Sequence, residues 1–432
     1  MSKITVIGAG LAGCEAAYFL ASRGVEVDLI EQKPKFYSPA HKSGNFAELV
    51  CSNSLKSDDI FGNACGLLKE ELRKLGSVTM AAADVSRVPA GGALAVEREQ
   101  FSAYVSEKIK TCPQIHVICE QVTRLPEAGI VATGPLTQGE LYEDIQRRFG
   151  PSLHFFDASA PIVSAESIDG AHTFTGDRYG KGTGDYINCP LSKEEYELFV
   201  AELTAAEKAH LHEFEKGEIF EGCMPLEVMA SRGKDTLRFG TFKPVGLSAE
   251  NGQRPYAVLQ LRKENQEGTS YGLVGCQTNL KFGEQKRVFS IIPALKNAEF
   301  ERYGVMHRNT YLHSPDILNA DFSVKTQPML YFAGQITGVE GYVESAMSGL
   351  LAGIHVWNKL NGREVVIPED TCVCGALSRY ISTPNKNFEP MNANYGVLRG
   401  NLFVKDKKEK RRLLAERALN EIERFKQISQ II

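Results

Sequence analysis

Long apolar runs are missing from this chain: nothing approaches the roughly 20 consecutive residues that a bilayer-spanning helix needs. An export signal is missing too. The opening MSKITVIGAG has one lysine and then a β-type run ending in glycines, with no longer apolar region or small-residue cleavage site. A cytoplasmic protein is expected, and no membrane partner. Metal-ligand spacing is equally scarce. Neither CxxC nor CxxCH occurs, and Cys372 and Cys374 stand too close together, without a second ligand pair, for a zinc site. No metal is expected. The ten cysteines, at positions 14, 51, 65, 112, 119, 189, 223, 276, 372 and 374, are irregularly spaced and are read as reduced thiols rather than disulfides. Charge of one sign is in short supply as well: 49 Lys and Arg face 53 Asp and Glu, a formal net charge of -4. That excludes a chain that is basic throughout but leaves room for a local basic surface.

What is present is an ordinary globular composition, 43% hydrophobic and 24% charged, in 432 residues, a length that favours two or three domains. KITVIG is a short β-branched run ending in glycine, LAGCEAAYFLASRG has helical apolar spacing closed by Gly24, and VEVDLIE follows as a second strand. This is a βαβ unit with a tight glycine turn. ACGLLKEELRKLGS reads as a helix, and IHVICEQVTRL and AGIVATGPL read as further strands. From about residue 152 the pattern changes to short β pieces such as YAVLQLR and YGLVGCQT, mixed with the helical SKEEYELFVAELTAAEKAHLHEFEK. The strand, glycine turn and helix of PMLYFAGQITGVEGYVESAMSGLLAGIHVWNKL then restore the first style, and a basic amphipathic helix ends the chain. The expected class is α/β: a nucleotide-binding domain in two parts, 1-151 and 321-432, around an inserted α+β substrate and RNA domain, 152-320.

GAGLAG sets Gly8, Gly10 and Gly13 in GxGxxG register, with Ala9, Leu11 and Ala12 between them, after a strand and at the start of a helix. The glycines serve the tight turn, the close approach of backbone to a diphosphate, and helix–strand packing. Glu31, at the end of the second strand, is placed to bind ribose hydroxyls. A dinucleotide is expected; this motif alone does not separate NAD from FAD. ATG at 132–134 and YFAGQITGVEGYVESAMSGLLAG resemble the later signatures of the large FAD-binding family related to glutathione reductase. That resemblance implies a glutathione-reductase-like Rossmann fold holding FAD. It places Gly334 and Gln335 at the flavin, and a helix beginning near Glu344 facing the ring.

Cys51, in AELVCSNSLKS, and Cys223, in IFEGCMPLEVMASRG, lie in polar or Gly- and Pro-flanked settings, unlike Cys14, Cys112, Cys119 and Cys276 in apolar patterns. A buried small hydrophobe is the default for any cysteine; reactive thiols need partly exposed, electropositive surroundings. The blocks PAHKSGNFAELVCSNSLKSDD, SRVPAGGALAVEREQFS, EGCMPLEVMASRG, VGCQTNLKFGEQKRV, RYGVMHRNTYL and YFAGQITGVEGYVESA together resemble the folate- and FAD-dependent tRNA (uracil-5-)-methyltransferase family, TrmFO, over almost the entire chain. The glycine turn of KGTGDYINCP looks slightly extended relative to that pattern.

The resemblance implies methylation of carbon 5 of a T-loop uridine in tRNA. The carbon comes from 5,10-methylenetetrahydrofolate, and FAD is reduced by NADH or NADPH. A thiolate adding to uracil carbon 6 makes carbon 5 nucleophilic, and a base then removes the carbon 5 proton. Cys223 is assigned as nucleophile and Cys51 as base, with the reverse open. Lys56, Arg232, Lys243 and His307 are candidate cations to lower a thiol pKa, and Tyr271 and Tyr342 candidate stacking residues. His307 and Arg308 are candidates to meet folate or RNA. Lys405, Lys407, Lys408, Lys410, Arg411 and Arg412 form the densest basic patch and are candidates for RNA phosphate contacts. The competing expectations are MnmG-like wobble-uridine modification, a ribosomal-RNA uridine as target, and a non-catalytic flavin-binding RNA module. The sequence leaves oligomeric state open.

Overall fold

A computed structural model describes the chain except for residues 1–2, 39, 181, 210–223, 248–251, 253, 401 and 432. Cys223 therefore lies outside the described residues. Apolar residues that alternate or run together in the strands Lys3–Ile7, Glu26–Glu31, Ile115–Cys119, Gly129–Val131 and Gln327–Phe332 drive one sheet. Its five parallel strands run in the spatial order Gln327–Phe332, Gly129–Val131, Lys3–Ile7, Glu26–Glu31, Ile115–Cys119, with the short antiparallel Ser323–Val324 at one edge. Parallel strands need covered faces. The helices Leu11–Ala21 and Tyr342–Leu360 pack together, so closely that a Cβ on Gly349 would stand 2.0 Å from the Ala12 carbonyl oxygen. Their N-termini consequently meet at the same edge of the sheet.

The second sheet is antiparallel throughout, in the order Phe174–Thr175, Tyr186–Leu191, Ala257–Lys263, Ser270–Leu273, Ile162–Ser164, Phe300–Arg302. It has a separate apolar core, in which Phe199, Phe242, Leu259 and Phe289 are fully buried. Helix Lys193–Ala205 packs on this sheet, started by a capping box between Ser192 and Glu195. This helix ends at Ala205, with Ala206 already extended, and residues 210–216 of the longer helical stretch read from the sequence lie outside the described residues.

Two features join the halves. The antiparallel ladder of Leu153–Ala158 with Met306–Tyr311 carries the chain into and out of the second sheet, and sets His307 opposite Asp157. A three-stranded sheet of Ser54–Ser57, Ala93–Val96 and Arg87–Val88 follows the Cys51 loop. The chain ends in helix Lys407–Ile428, whose N-cap Asp406 accepts from the Glu409 N–H at 2.7 Å. Among the described residues no helix is long and apolar enough to cross a membrane.

Candidate active site

A cleft enclosing about 1260 Å³ of empty space, part of it open to solvent, crosses the carboxyl edge of the parallel sheet. Its walls come from residues just past each strand in turn: Glu120 to Val122, Glu31 to Lys33, Gly8 to Ala12, Ala132 to Gln138, and Gly334 with Gln335. Ligands of open α/β sheets bind outside these strand ends. A cleft running past five successive strand ends suits an extended ligand such as a dinucleotide.

The three glycines of the fingerprint divide their work as their positions require. Gly8 has φ +96°, and a Cβ there would stand 2.5 Å from the Ala132 carbonyl oxygen; one on Gly13 would stand 1.8 Å from the Gly8 oxygen. Both are packing glycines. A Cβ on Gly10 would meet nothing within 4 Å, so that backbone is bare toward the cleft at the start of helix Leu11–Ala21, where unpaired N–H groups favour an anion. Glu31 accepts from Ala9 N at 2.7 Å and from Lys33 N at 2.9 Å, which leaves each carboxylate oxygen lone pairs for hydroxyls. These residues fit the diphosphate and ribose of a dinucleotide such as FAD.

At the other end of the cleft, Gly334 has φ +88° and donates its N–H to Ser348 Oγ at 2.6 Å, while Gln335 donates to the buried carboxyl of Glu340. Burial first, then Asp157, pushes the Glu340 carboxyl up to about 8. Glu344 departs from expectation. It is buried with its carboxylate turned to the Ala393 N–H at 2.9 Å and to Lys56 Nζ at 3.9 Å. Tyr342 and Ser345, one helical turn apart, line the cleft in its place.

Tyr342 links the cleft to Cys51. Its hydroxyl accepts the N–H of Cys51 at 2.7 Å and that of Ser52 at 3.2 Å. Cys51 is half-buried on its loop, with Sγ 3.9 Å from the Ala158 oxygen. Burial, and secondarily Asp157, pushes its thiol well above the ordinary range; Arg98 and Arg302 pull the other way. The loop is tied to both halves of the molecule. Arg98 donates to the Leu49 and Cys51 carbonyls at 3.1 and 3.3 Å, Arg302 to that of Val50, and Arg262 to Asn53 Oδ1 and Ser52 Oγ at 2.9 and 3.0 Å.

Several expected partners stand elsewhere. Lys56 pairs with Glu344, and Tyr271 is a core residue of the second sheet. Burial, Arg302 and His41 hold the His307 imidazole down at about 4, so it is neutral and supplies no cation at neutral pH. Arg308 donates to His154 Nε2 at 2.6 Å. Among the described residues the cations that face Cys51 are Arg98 and Arg302, which sequence reasoning missed. Their signal was position within the SRVPAGGALAVEREQFS and RYGVMHRNTYL blocks.

The basic patch is narrower than its sequence. Arg412 is held by Glu409 and Glu416, and Arg411 donates to the Gly62 oxygen at 3.2 Å. Lys405, Lys407, Lys408 and Lys410 make no ion pair among the described residues; the first three are exposed and Lys410 partly so. No metal-binding cluster of three or more His, Cys, Asp or Glu occurs among the described residues.

Comparison with known proteins agrees with this geometry. The family model of glucose inhibited division protein A matches residues 3–364. Proteins named methylenetetrahydrofolate--tRNA-(uracil-5-)-methyltransferase TrmFO are similar end to end. That of Acetivibrio thermocellus is 56% identical over 429 residues, and that of Geobacter sulfurreducens 54% over 427, each alignment covering 98% of both chains. The structure of Aquifex aeolicus GidA superposes on the whole chain with TM-score 0.71 at 16% identity, using 74% of its own length. At that identity it shows the shared fold alone. The chain belongs to the glucose inhibited division protein A family, in the group of full-length relatives named TrmFO.

Proposed function

We propose that this chain is a tRNA (uracil-5-)-methyltransferase. It methylates the T-loop uridine with carbon from 5,10-methylenetetrahydrofolate, using FAD reduced by NADH or NADPH. One observation carries the reading: the backbone N–H of Cys51 is held by Tyr342, a wall residue of the cleft that the glycine fingerprint also lines. This occurs in a chain more than half identical to relatives named for that reaction.

The chain's own groups account for binding. The bare Gly10 backbone and the first turn of helix Leu11–Ala21 take the diphosphate of FAD, Glu31 its ribose hydroxyls, and Gly334 and Gln335 its far end. When bound, FAD supplies the reducing equivalents that turn a transferred methylene into a methyl group. One thiolate adds to uracil carbon 6 and makes carbon 5 nucleophilic toward the methylene; a base then takes the carbon 5 proton, and the carbon–sulfur bond breaks. Cys223 serves as nucleophile and Cys51 as base. Adduct mapping with 5-fluorouridine RNA tests the order. An adduct kept by Cys223→Ala and lost by Cys51→Ala reverses it.

RNA is held electrostatically. Residues 152–320, which carry the second sheet, form the substrate lobe, and Lys405, Lys407 and Lys408, exposed and without ion pairs among the described residues, meet phosphates. The target base is stacked inside folded tRNA and must be extruded to reach a thiol. The cytoplasm is the site of action. Incubation with unmodified tRNA transcript, methylenetetrahydrofolate and NADPH, followed by nucleoside analysis, tests the reaction. The expected product is 5-methyluridine. A wobble nucleoside formed with added glycine or ammonium would replace this reading with MnmG-like chemistry, and FAD binding without any product would leave an RNA-binding flavoprotein.

A further inference from the structure

Arg302 is a cation without a paired anion among the described residues. It ends the edge strand Phe300–Arg302 of the second sheet, partly buried, and donates to the Val50 carbonyl. Among the described residues it has no ion pair. A guanidinium does not shed its proton, so burying one unpaired is costly until an anion arrives. Arg98 lies close enough to Arg302 that the two repel, but Arg98 has its own carboxylate: Nε stands 3.0 Å from Glu264 Oε2.

The two guanidiniums serve one loop. Between them they bind the three successive carbonyls of Leu49, Val50 and Cys51. With Tyr342 accepting the Cys51 N–H from the cleft side, the cysteine backbone is fixed at both its donor and its acceptor. Among the described residues the charged and titratable groups that face the thiol are Asp157, Arg98, Arg302 and Glu340, with Tyr342 beside them. Glu340 keeps its proton up to about 8 and so is mostly neutral at neutral pH. Glu264 pairs directly with Arg98 and acts on Arg302 only from farther away, so Arg302 remains the positive charge with no ion pair among the described residues.

We propose that Arg302 is the counter-ion for the thiolate form of Cys51, and that Arg98, braced by Glu264, holds the Cys51 loop where that pairing forms. Both are positioning residues. The second lobe thereby supplies the charge, and through Glu264 the brace on Arg98, for a thiol carried with Arg98 by the cofactor-binding half. The proposal rests on the reading of Cys51 as a reactive thiol.

The test is the pH profile of Cys51 alkylation by iodoacetamide in the FAD-loaded full chain, read by mass spectrometry of the Cys51 peptide. Arg302→Gln should move the midpoint up by about one pH unit or more, the effect of losing one nearby opposite charge. Arg302→Lys, which keeps the charge, should restore most of the wild-type profile. Glu264→Gln removes an anion and leaves both guanidiniums, so it should move the midpoint down. Opposite shifts are not what a merely structural role gives. Unchanged profiles in Arg302→Gln and Glu264→Gln would overturn the proposal; if Arg302→Gln does not retain FAD, the Glu264→Gln profile alone decides. A Cys51→Ala chain that methylates tRNA at the wild-type rate would instead refute the catalytic reading of Cys51, and the alkylation profiles would still judge the charge pairing.

Discussion

Replacing Gly10 by alanine should separate folding from cofactor binding. The new methyl group meets no protein atom within 4 Å, and Gly10 already has an ordinary φ of -76°. The apoprotein should therefore melt within about 0.5 kcal/mol of wild type, as substitutions away from packing contacts do. The same methyl stands where a diphosphate must approach the backbone. Losing one charge-assisted hydrogen bond costs about 1.5–3 kcal/mol, or roughly 10- to 150-fold in Kd. The matched controls behave oppositely. In Gly8→Ala a Cβ 2.5 Å from a carbonyl oxygen adds to a φ of +96°, and in Gly13→Ala the Cβ falls 1.8 Å from the Gly8 oxygen. Both should lose folded protein as well as flavin. The assays are thermal melting of the apo chains and flavin titration by fluorescence quenching. Gly10→Ala binding FAD as tightly as wild type would refute the placement of the diphosphate.

Two further outcomes follow from the charges. The double variant Lys407→Ala, Lys408→Ala should weaken tRNA binding and reduce the slope of log K against log salt by about 1 to 2, whereas Arg412→Ala, already neutralised by Glu409 and Glu416, should leave the slope unchanged. Filter binding across a salt series reads both. Glu340 binds its proton more tightly folded than unfolded, so it favours the folded state fully below its ordinary pKa near 4.5, and that contribution is lost as pH rises toward about 8. Glu340→Gln should consequently gain melting temperature relative to wild type at pH 8 compared with pH 5. A constant difference across that range would show that Glu340 ionises normally.

The cofactor half of this molecule was readable because its constraints are local. Gly8, Gly10 and Gly13 each answer a backbone requirement within one turn, and Glu31 ends the strand that follows. Family signatures extended this to Gly334 and Gln335, which do line the cleft. Glu344 shows the limit of spacing: a helix offers several residues to a cleft, and here the Ala393 N–H and Lys56 draw the carboxylate aside. Arg302 was illegible because it reaches the Cys51 loop only when the second sheet folds back, 252 residues from Val50, and Arg98 because the pairing of Ser54–Ser57 with Ala93–Val96 sets the start of its helix beside that loop. The basic patch read as six equivalent cations until helix geometry set Glu409 and Glu416 at the i−3 and i+4 positions around Arg412.

The most direct measurement of the central claim follows an isotope-labelled methylene carbon from methylenetetrahydrofolate into an unmodified tRNA transcript, in the presence of FAD and NADPH. The account predicts label on carbon 5 of the T-loop uridine, abolished in Cys51→Ala. Label at the wobble position, or none in the RNA with FAD fully bound, would contradict it.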